Sequence, residues 1–446
     1  MQLAAKDIQK EIFGDSLADL TAKAQEQYSM EEDETEPSVS SSEPDTSAVT
    51  TEQVKDDNAD SSTPLDTPAI EEERVQPKVK YFEADEDIKQ LVKSFKRACS
   101  SFHVRVAECS PENAVVGPGL VRLRFRLEQG QSLSNMTSRL DDIGREMQRT
   151  GILIRTIMNS GELNLDIPRL HRDKVLYKDV EASIPTGDSL EQLYFALGKT
   201  PEGKDIISNL ASIPHLLVGG STGSGKTVFL YTLLIALLQS HPKKDDIILI
   251  LSSSKREDFV YFEKLPQLYS GRVIAEAREA TDLIKGFVAQ ESARRGDLLA
   301  DAWARDIIEY NKKNTKKLPP IVVVIDEFAD LADQLSNKKE REEFYTQVQR
   351  IAQTGRSRGI HLVVCTQRPE AKLVPPTTKA QLNGRVALRV NDPISSSMII
   401  GAPDAKNLQK HGDLLYKNGD TFERAQGYYI DTDELVERIR KILAAQ

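Results

Sequence analysis

The sequence predicts an α/β fold built on a parallel sheet. From Leu193 onward, short apolar blocks alternate with helical stretches: His215–Val218, Ile247–Leu251, Ile321–Ile325, His361–Cys365 and Val386–Val390. Strands of this kind, flanked by helices, are covered on both faces. A glycine-rich loop follows the first block, and an acidic pair ends the third. At 446 residues the chain has room for about three units.

Four parts follow in chain order. Residues 1–29 place Leu3, Ile8, Ile12, Leu17 and Leu20 at loosely helical spacing, which predicts one short amphipathic helix. Segment 30–78 is Ser, Thr, Pro and acid. Its residues 30–77 hold 15 of the chain's 69 Asp and Glu and no aromatic side chain. Such a composition cannot bury enough apolar surface to offset ordering entropy, so it predicts a disordered acidic linker. The net charge of −10 therefore conceals a mildly basic body.

Residues 79–190 read as a small α+β subdomain. A helix is expected at 85–102. The strand Val121–Leu127 follows, with an apolar face and an open face carrying Arg122, Arg124 and Arg126. A second helix is expected over Leu133–Gly151, then strands over Ile152–Ile157 and Leu163–Ile167. Residues 191–446 form the sheet domain.

Several classes are excluded. No run of 18 apolar residues exists, so no transmembrane helix is expected. The charged opening residues have no apolar stretch of a secretory signal. Cys99, Cys109 and Cys365 make no CxxC pair, and the six His show no zinc spacing. A reducing, cytoplasmic location fits, with each Cys serving as a small buried apolar group.

Gly220-Ser221-Thr222-Gly223-Ser224-Gly225-Lys226-Thr227 meets every position of GxxxxGK[ST], between the strand His215–Val218 and a helix over Val228–Gln239. Glycines let consecutive backbone N–H groups curl around phosphate oxygens at a helix N-terminus. Lys226 then reaches the β- and γ-phosphates, and the Thr227 hydroxyl ligates Mg²⁺, so ATP and Mg²⁺ are the expected ligands. Gly198-Lys199-Thr200 also spells GKT, but Leu193 stands where the first glycine should be. Asp326, ending the strand Ile321–Ile325, is placed to hold Mg²⁺ through water, and Glu327 to polarise the attacking water. A third strand, His361–Cys365, ends in Thr366-Gln367-Arg368-Pro369. Gln367 is assigned to sense the γ-phosphate, with Thr366 as the alternative.

Together these pieces resemble the FtsK/SpoIIIE family of DNA translocases. The matching stretches are PHLLVGGSTGSGKT (214–227), VVVIDEFADL (322–331), RSRGIHLVVCTQRP (356–369) and GDLLY (412–416). The resemblance covers 79–190 as that family's α subdomain and 191–446 as its RecA-like β subdomain. It implies a P-loop NTPase fold, a homo-oligomeric ring of six, ATP sites between neighbours and double-stranded DNA in the pore. It also implies an arginine supplied in trans: Arg385, with Arg356 and Arg358 as alternatives. The implied DNA-backbone contacts are Lys372 and Lys379 in the loop after the sensor, and Arg294 and Arg295 where the family has its ERRY helix. The cluster Lys312, Lys313, Lys316 and Lys317 is explained equally well as a solvated loop.

The chain departs from the family at three points. Ser253-Ser254-Lys255 stands where an acid-Pro-Lys step is common. The chain ends just past Gly427-Tyr428-Tyr429, without the family's C-terminal winged helix. It also shows no membrane-spanning N-terminal region. The expectation is therefore a soluble double-stranded DNA motor serving a larger defence, transfer or processing system. Similar motors serve phosphorothioation-dependent restriction (the DptH type). Residues 3–29 are expected to dock a protein partner. The alternatives are a polypeptide-export ATPase and an ATP-gated DNA clamp or scaffold.

Overall fold

The structure is a computed structural model, and it describes residues 87–157, 160–186, 192–269, 271–367, 381–419 and 421–445. The helix expected within 1–29, the linker at 30–78, and Lys372 and Lys379 lie outside the described residues.

The first described element is helix α1 (Ile88–Ser101). The Asp87 carboxylate caps it by accepting from Lys89 N at 2.9 Å. Its Leu91, Val92, Phe95 and Ala98 are buried, and Phe95 meets Phe125 edge-on at 5.3 Å. A five-stranded antiparallel sheet holds the other side: β1 (Val106–Ala107), β2 (Ala114–Val116), β3 (Leu120–Leu127), β4 (Leu153–Thr156) and β5 (Leu163–Pro168). The single helix expected over 133–151 is instead two, α2 (Leu133–Ser138) and α3 (Leu140–Glu146). The break at Arg139 lets Met136, Leu140 and Ile143 all face the core.

The arginine face of β3 is not open at its first position. Arg122 stands opposite Asp166 in the β3–β5 register and grips it through two hydrogen bonds, 2.7 and 3.1 Å. It also reaches Glu202 of the sheet domain at 2.8 Å, and it is only 6% exposed. A charged side chain accepts such burial when partners satisfy it. Two more arginines extend this seam. Arg155 Nη1 donates to the Phe422 carbonyl at 3.0 Å, and Arg424, fully buried, clasps Asp413 at 2.7 and 3.0 Å. Arg124 and Arg126 do remain partly exposed, each beside Glu162.

The second sheet has nine strands in the order β7-β6-β14-β13-β12-β8-β11-β10-β9 among the described residues. Five of them run parallel: β12 (Gly384–Leu388), β8 (His215–Gly219), β11 (Ile360–Thr366), β10 (Ile321–Asp326) and β9 (Ile248–Ser253). The expected strands are all present here. The expected parallel sheet is present as the core of a larger mixed sheet, which an antiparallel wing extends through β13 (Asp413–Asn418), β14 (Thr421–Gly427), β6 (Tyr194–Lys199) and β7 (Asp205–Asn209). Gly198-Lys199-Thr200 lies in this wing, where the Lys199 ammonium pairs with Asp205. It is no phosphate loop.

Helix α4 (Lys226–Ser240) follows β8 and buries residues around most of its circumference, as a central helix should. Then come α5 (Ala277–Leu283), a π-helical turn over Ile284–Val288, and α6 (Ala289–Asp301). Further α-helices among the described residues are α7 (Ile307–Lys313), α8 (Phe328–Gln334), α9 (Lys338–Arg358), α10 (Pro393–Ile400) and α11 (Thr432–Ala444).

Candidate nucleotide site

The loop 220–227 leaves β8 at the middle of the parallel strands, between β11 and β12. Ligands of open α/β sheets bind at this carboxyl edge. Neighbours on both sides hold the loop's shape. Gly220 N donates to Thr366 O (3.2 Å) and Ser221 N to Arg389 O (2.8 Å), while Gly412 N donates to Ser224 O at 2.7 Å. Gly225 has φ +109°, and a Cβ there would stand 2.9 Å from Gly412 N, so only glycine fits. Helix α4 starts at Lys226, which turns its N-terminal N–H groups toward the loop.

Three charged side chains converge beside it. Lys226 Nζ lies 2.8 Å from Asp326 Oδ1 and 3.2 Å from Glu327 Oε2, and all three residues are buried. Burial works to lower the Lys226 pKa, but Asp326 and Glu327 outweigh it and raise the pKa, so the ammonium stays charged. Asp326 Oδ1 meets Lys226 as an ion pair without hydrogen-bond alignment, and no described residue donates a hydrogen bond to it. A buried carboxylate oxygen of this kind suits a hard divalent cation.

Glu327 has a left-handed backbone, φ +55° and ψ +61°, at the start of α8. A non-glycine residue held there costs about 1–2 kcal/mol, and it recurs where a side chain must be aimed. Its carboxylate accepts from Thr366 Oγ1 at 3.2 Å and from Gln367 N at 3.0 Å. Thr222 Oγ1 in turn donates to Gln367 Oε1 at 2.9 Å. Thr366 and Gln367 therefore both belong to this cluster.

Ser253 ends β9 in register with Asp326, and its hydroxyl donates to Lys255 O at 3.1 Å. Asp258, which sequence reasoning passed over, is half-buried near this edge. Burial and the Asp326 charge raise its pKa.

The other candidates lie apart from this cluster. Arg385 sits on β12 in register with Leu217, two residues before the strand position that faces Gly219, and its Nε donates to Leu382 O at 3.2 Å. Arg356 is exposed at the end of α9, and Arg358 Nη1 donates to Ser292 Oγ at 2.8 Å. Arg295 needs correction as a DNA contact. It is 1% exposed and donates to Glu291 Oε1, Arg358 O and Pro319 O, each at 2.8 Å. Three partners inside the protein leave it no path to a phosphate in this arrangement. Arg294 is half-buried and clasps Glu291 at 2.6 and 2.7 Å. Lys312, Lys313, Lys316 and Lys317 are exposed, with Lys313 held by Trp303 O and Glu309.

A cavity of about 490 Å³ adjoins the loop on its β12–β13 side, lined by Gly225, Val228 and Phe229 and closed by residues 172–175, 411–412 and 426–429. A larger groove of about 640 Å³ opens beside Gln239, at the other end of α4, among paired charges such as Glu434 and Arg438, away from the phosphate-binding residues.

The FtsK/SpoIIIE family model matches residues 178–317 and 305–371. The DNA translocase FtsK of Haemophilus influenzae is 30% identical over 395 residues, spanning 82% of this chain and 71% of that protein. The FtsK of Borreliella burgdorferi is also 30% identical, over 84% of this chain and 48% of its own length. The chain spans about half the length of several other FtsK relatives. Among solved structures, the pCW3 conjugation coupling protein TcpA, in a monomer form with ATPγS, aligns at a TM-score of 0.56 and 23% identity. That alignment covers 80% of this chain and 99% of that one. The cytoplasmic domain of the Thermomonospora curvata type VII secretion ATPase EccC aligns at 0.50 and 24% identity, over 59% and 32%. These two likenesses concern the fold. No helix of the described residues is long and apolar enough to cross a membrane.

Proposed function

Because the chain belongs to the FtsK/SpoIIIE family, we propose that it is an ATP-hydrolysing motor that pumps double-stranded DNA, with 79–190 and 191–446 as its two subdomains. The observation that carries this reading is the convergence of Lys226, Asp326 and Glu327 beside the glycine loop, within 3.2 Å of one another through the lysine.

The chemistry follows from these positions. The loop's backbone N–H groups other than those of Gly220, Ser221 and Ser224, which bond within the protein, hold the phosphates, and Lys226 neutralises the β- and γ-oxygens. Thr227 and Asp326 would hold Mg²⁺, which supplies charge neutralisation on the leaving phosphates. Glu327 orients the attacking water from a carboxylate that Thr366 and Gln367 fix in place. Gln367, bonded to Thr222, links the phosphate loop to the tip of β11, and so reports the γ-phosphate to the chain that follows.

Around a hexameric ring, Arg385 reaches the neighbour's site, with Arg356 and Arg358 as the other donors. Mixing Arg385→Ala with Lys226→Ala protomers tests that role. Hydrolysis regained in the mixture supports it, and two pools that stay inactive together refute it. Lys372 and Lys379 meet the DNA backbone, with Arg294 as a second contact. The setting is a cytoplasmic DNA-processing, defence or transfer system, whose partner docks on residues 3–29.

Displacement of a third strand from a triplex tests pumping itself. ATP-dependent displacement that disappears in Lys226→Ala supports the motor. Robust hydrolysis with no displacement refutes it in favour of a clamp or an export ATPase.

A further inference from the structure

The parallel strands have two edges, and an exposed apolar side chain marks each. Near the amino edge stands Trp303, the chain's one tryptophan, 89% exposed in the turn between α6 and α7. Helix α7 is seated on the chain that enters β10 and β11. Asn311 bonds Leu318 N at 2.8 Å and Leu318 O at 3.1 Å, and Ile307 lies against Gly359. At the carboxyl edge stands Val260, half exposed in the short helical turn Arg256–Phe262 that follows β9.

The turn that carries Trp303 is a fixed one. Trp303 N donates to Ala300 O (3.0 Å), Ala304 N to Leu299 O (2.8 Å), and Lys313 Nζ to Trp303 O (2.8 Å). Trp303 has φ +50°, a left-handed backbone that a bulky residue rarely takes. The fold thus holds a large apolar side chain in water at a defined place. Its surroundings are basic. Arg305, Lys312 and Lys316 are exposed, and Arg356 lines a small cleft with Ile307 and Ile308 of α7. The Val260 turn instead presents exposed Glu257 and half-buried Asp258, and Tyr231 of α4 holds it by donating to Asp258 O at 2.6 Å.

We infer that Trp303 is the anchor of a contact between copies of this chain, packing on Val260 of the next copy while its basic turn faces Glu257 there. Two apolar groups on opposite edges, one in basic and one in acidic surroundings, complement each other head to tail. They do not complement themselves, as a two-fold contact would require. A large aromatic side chain beside arginine is the usual composition of an interface anchor. Arg356 and Arg385, the candidate trans arginines, leave from the same amino edge, at the end of α9 and the start of β12. Docking on the Val260 turn therefore bears on the nucleotide site through α4, the helix that carries Lys226. The inference rests on the ring proposed above and names the residues that hold it together.

The test uses the full chain with Mg²⁺ and ATPγS. Sedimentation velocity should show Trp303→Ser needing about 30-fold more protein than the parent to assemble, the usual loss at an interfacial anchor. Its urea unfolding as a single chain should be unchanged, since the side chain is exposed. A second measurement mixes a Trp303→Cys pool with a Val260→Cys pool, at a concentration where both assemble, and oxidises them. Cys99, Cys109 and Cys365 are buried, so a disulfide-linked pair of chains reports the engineered positions. The pair should form in the mixture and in neither pool alone. The inference is overturned if Trp303→Ser assembles like the parent, if the mixture gives no linked pair, or if one pool links to itself. It is also overturned if the Trp303 emission shifts on adding duplex DNA at a protein concentration that gives no assembly. A parent that stays a single chain throughout contradicts the ring itself, which separates that failure from a misplaced anchor.

Discussion

Thr222 Oγ1 donates to Gln367 Oε1 across 2.9 Å, which ties the exposed crest of the phosphate loop to the end of β11. The Gln367 backbone meanwhile donates to both oxygens of Glu327 at 3.0 Å. One residue thus touches the loop with its side chain and the Glu327 carboxylate with its main chain. Gln367→Ala removes the first link and keeps the second. Steady-state kinetics should show turnover reduced about 10- to 100-fold with KM nearly unchanged. A raised KM at constant kcat would mean that Gln367 only helps to bind.

Glu327→Gln keeps the shape and hydrogen-bonding reach of the side chain but removes its charge. Nucleotide affinity should persist while hydrolysis falls by about 10²–10⁴-fold, the usual contribution of a general base. Equal activity of the two proteins would assign the water-orienting role elsewhere, with half-buried Asp258 the first alternative.

Arg295 is a latch inside the fold, and its removal should be read in stability. Arg295→Ala leaves Glu291 with only Arg294, and two carbonyls without their donor. A loss of about 3–5 kcal/mol is expected in urea unfolding, as when one partner of a buried ion pair is deleted. Arg294→Ala should cost about 1 kcal/mol or less. Weakened DNA binding at unchanged stability in Arg295→Ala would return Arg295 to the DNA surface.

Two buried histidines set an acid limit. Burial, with the neighbouring His361 charge, pulls His215 down to about 3, and burial pulls His361 down to about 4. Both are neutral in the folded chain, while in the unfolded chain they titrate near 6.5. Below about pH 6.5 the unfolded state therefore binds protons that the folded state refuses. Stability falls as pH drops from there toward 4, by up to about 1.4 kcal/mol per unit for each residue. His361→Asn should flatten that decline in denaturant titrations between pH 7 and pH 5. An unchanged slope would assign the acid loss to other groups.

Legibility followed distance along the chain. The phosphate loop could be read because its chemistry is packed into eight consecutive residues, and the acids because they end an apolar strand. The antiparallel wing was missed although Asn418-Gly419 is a hairpin signal, since β14 alternates only weakly. Arg122 was read as an open strand face and Arg295 as a DNA contact because, Glu291 apart, their partners Asp166, Glu202, Arg358 and Pro319 lie 24 to 80 residues away. The cavity beside the phosphate loop left no sequence trace, since Arg172, His411 and Gln426 meet only once residues 172–175 pack on Tyr429.

The central claim is that this site hydrolyses ATP in order to move duplex DNA. ATP hydrolysis by the full chain, measured with and without long double-stranded DNA at low and moderate salt, tests it most directly, with Lys226→Ala as control. The account predicts strong stimulation by duplex that weakens as salt rises, as backbone contacts require, and that vanishes in the variant. A rate indifferent to DNA, or one unaffected by Lys226→Ala, would contradict it.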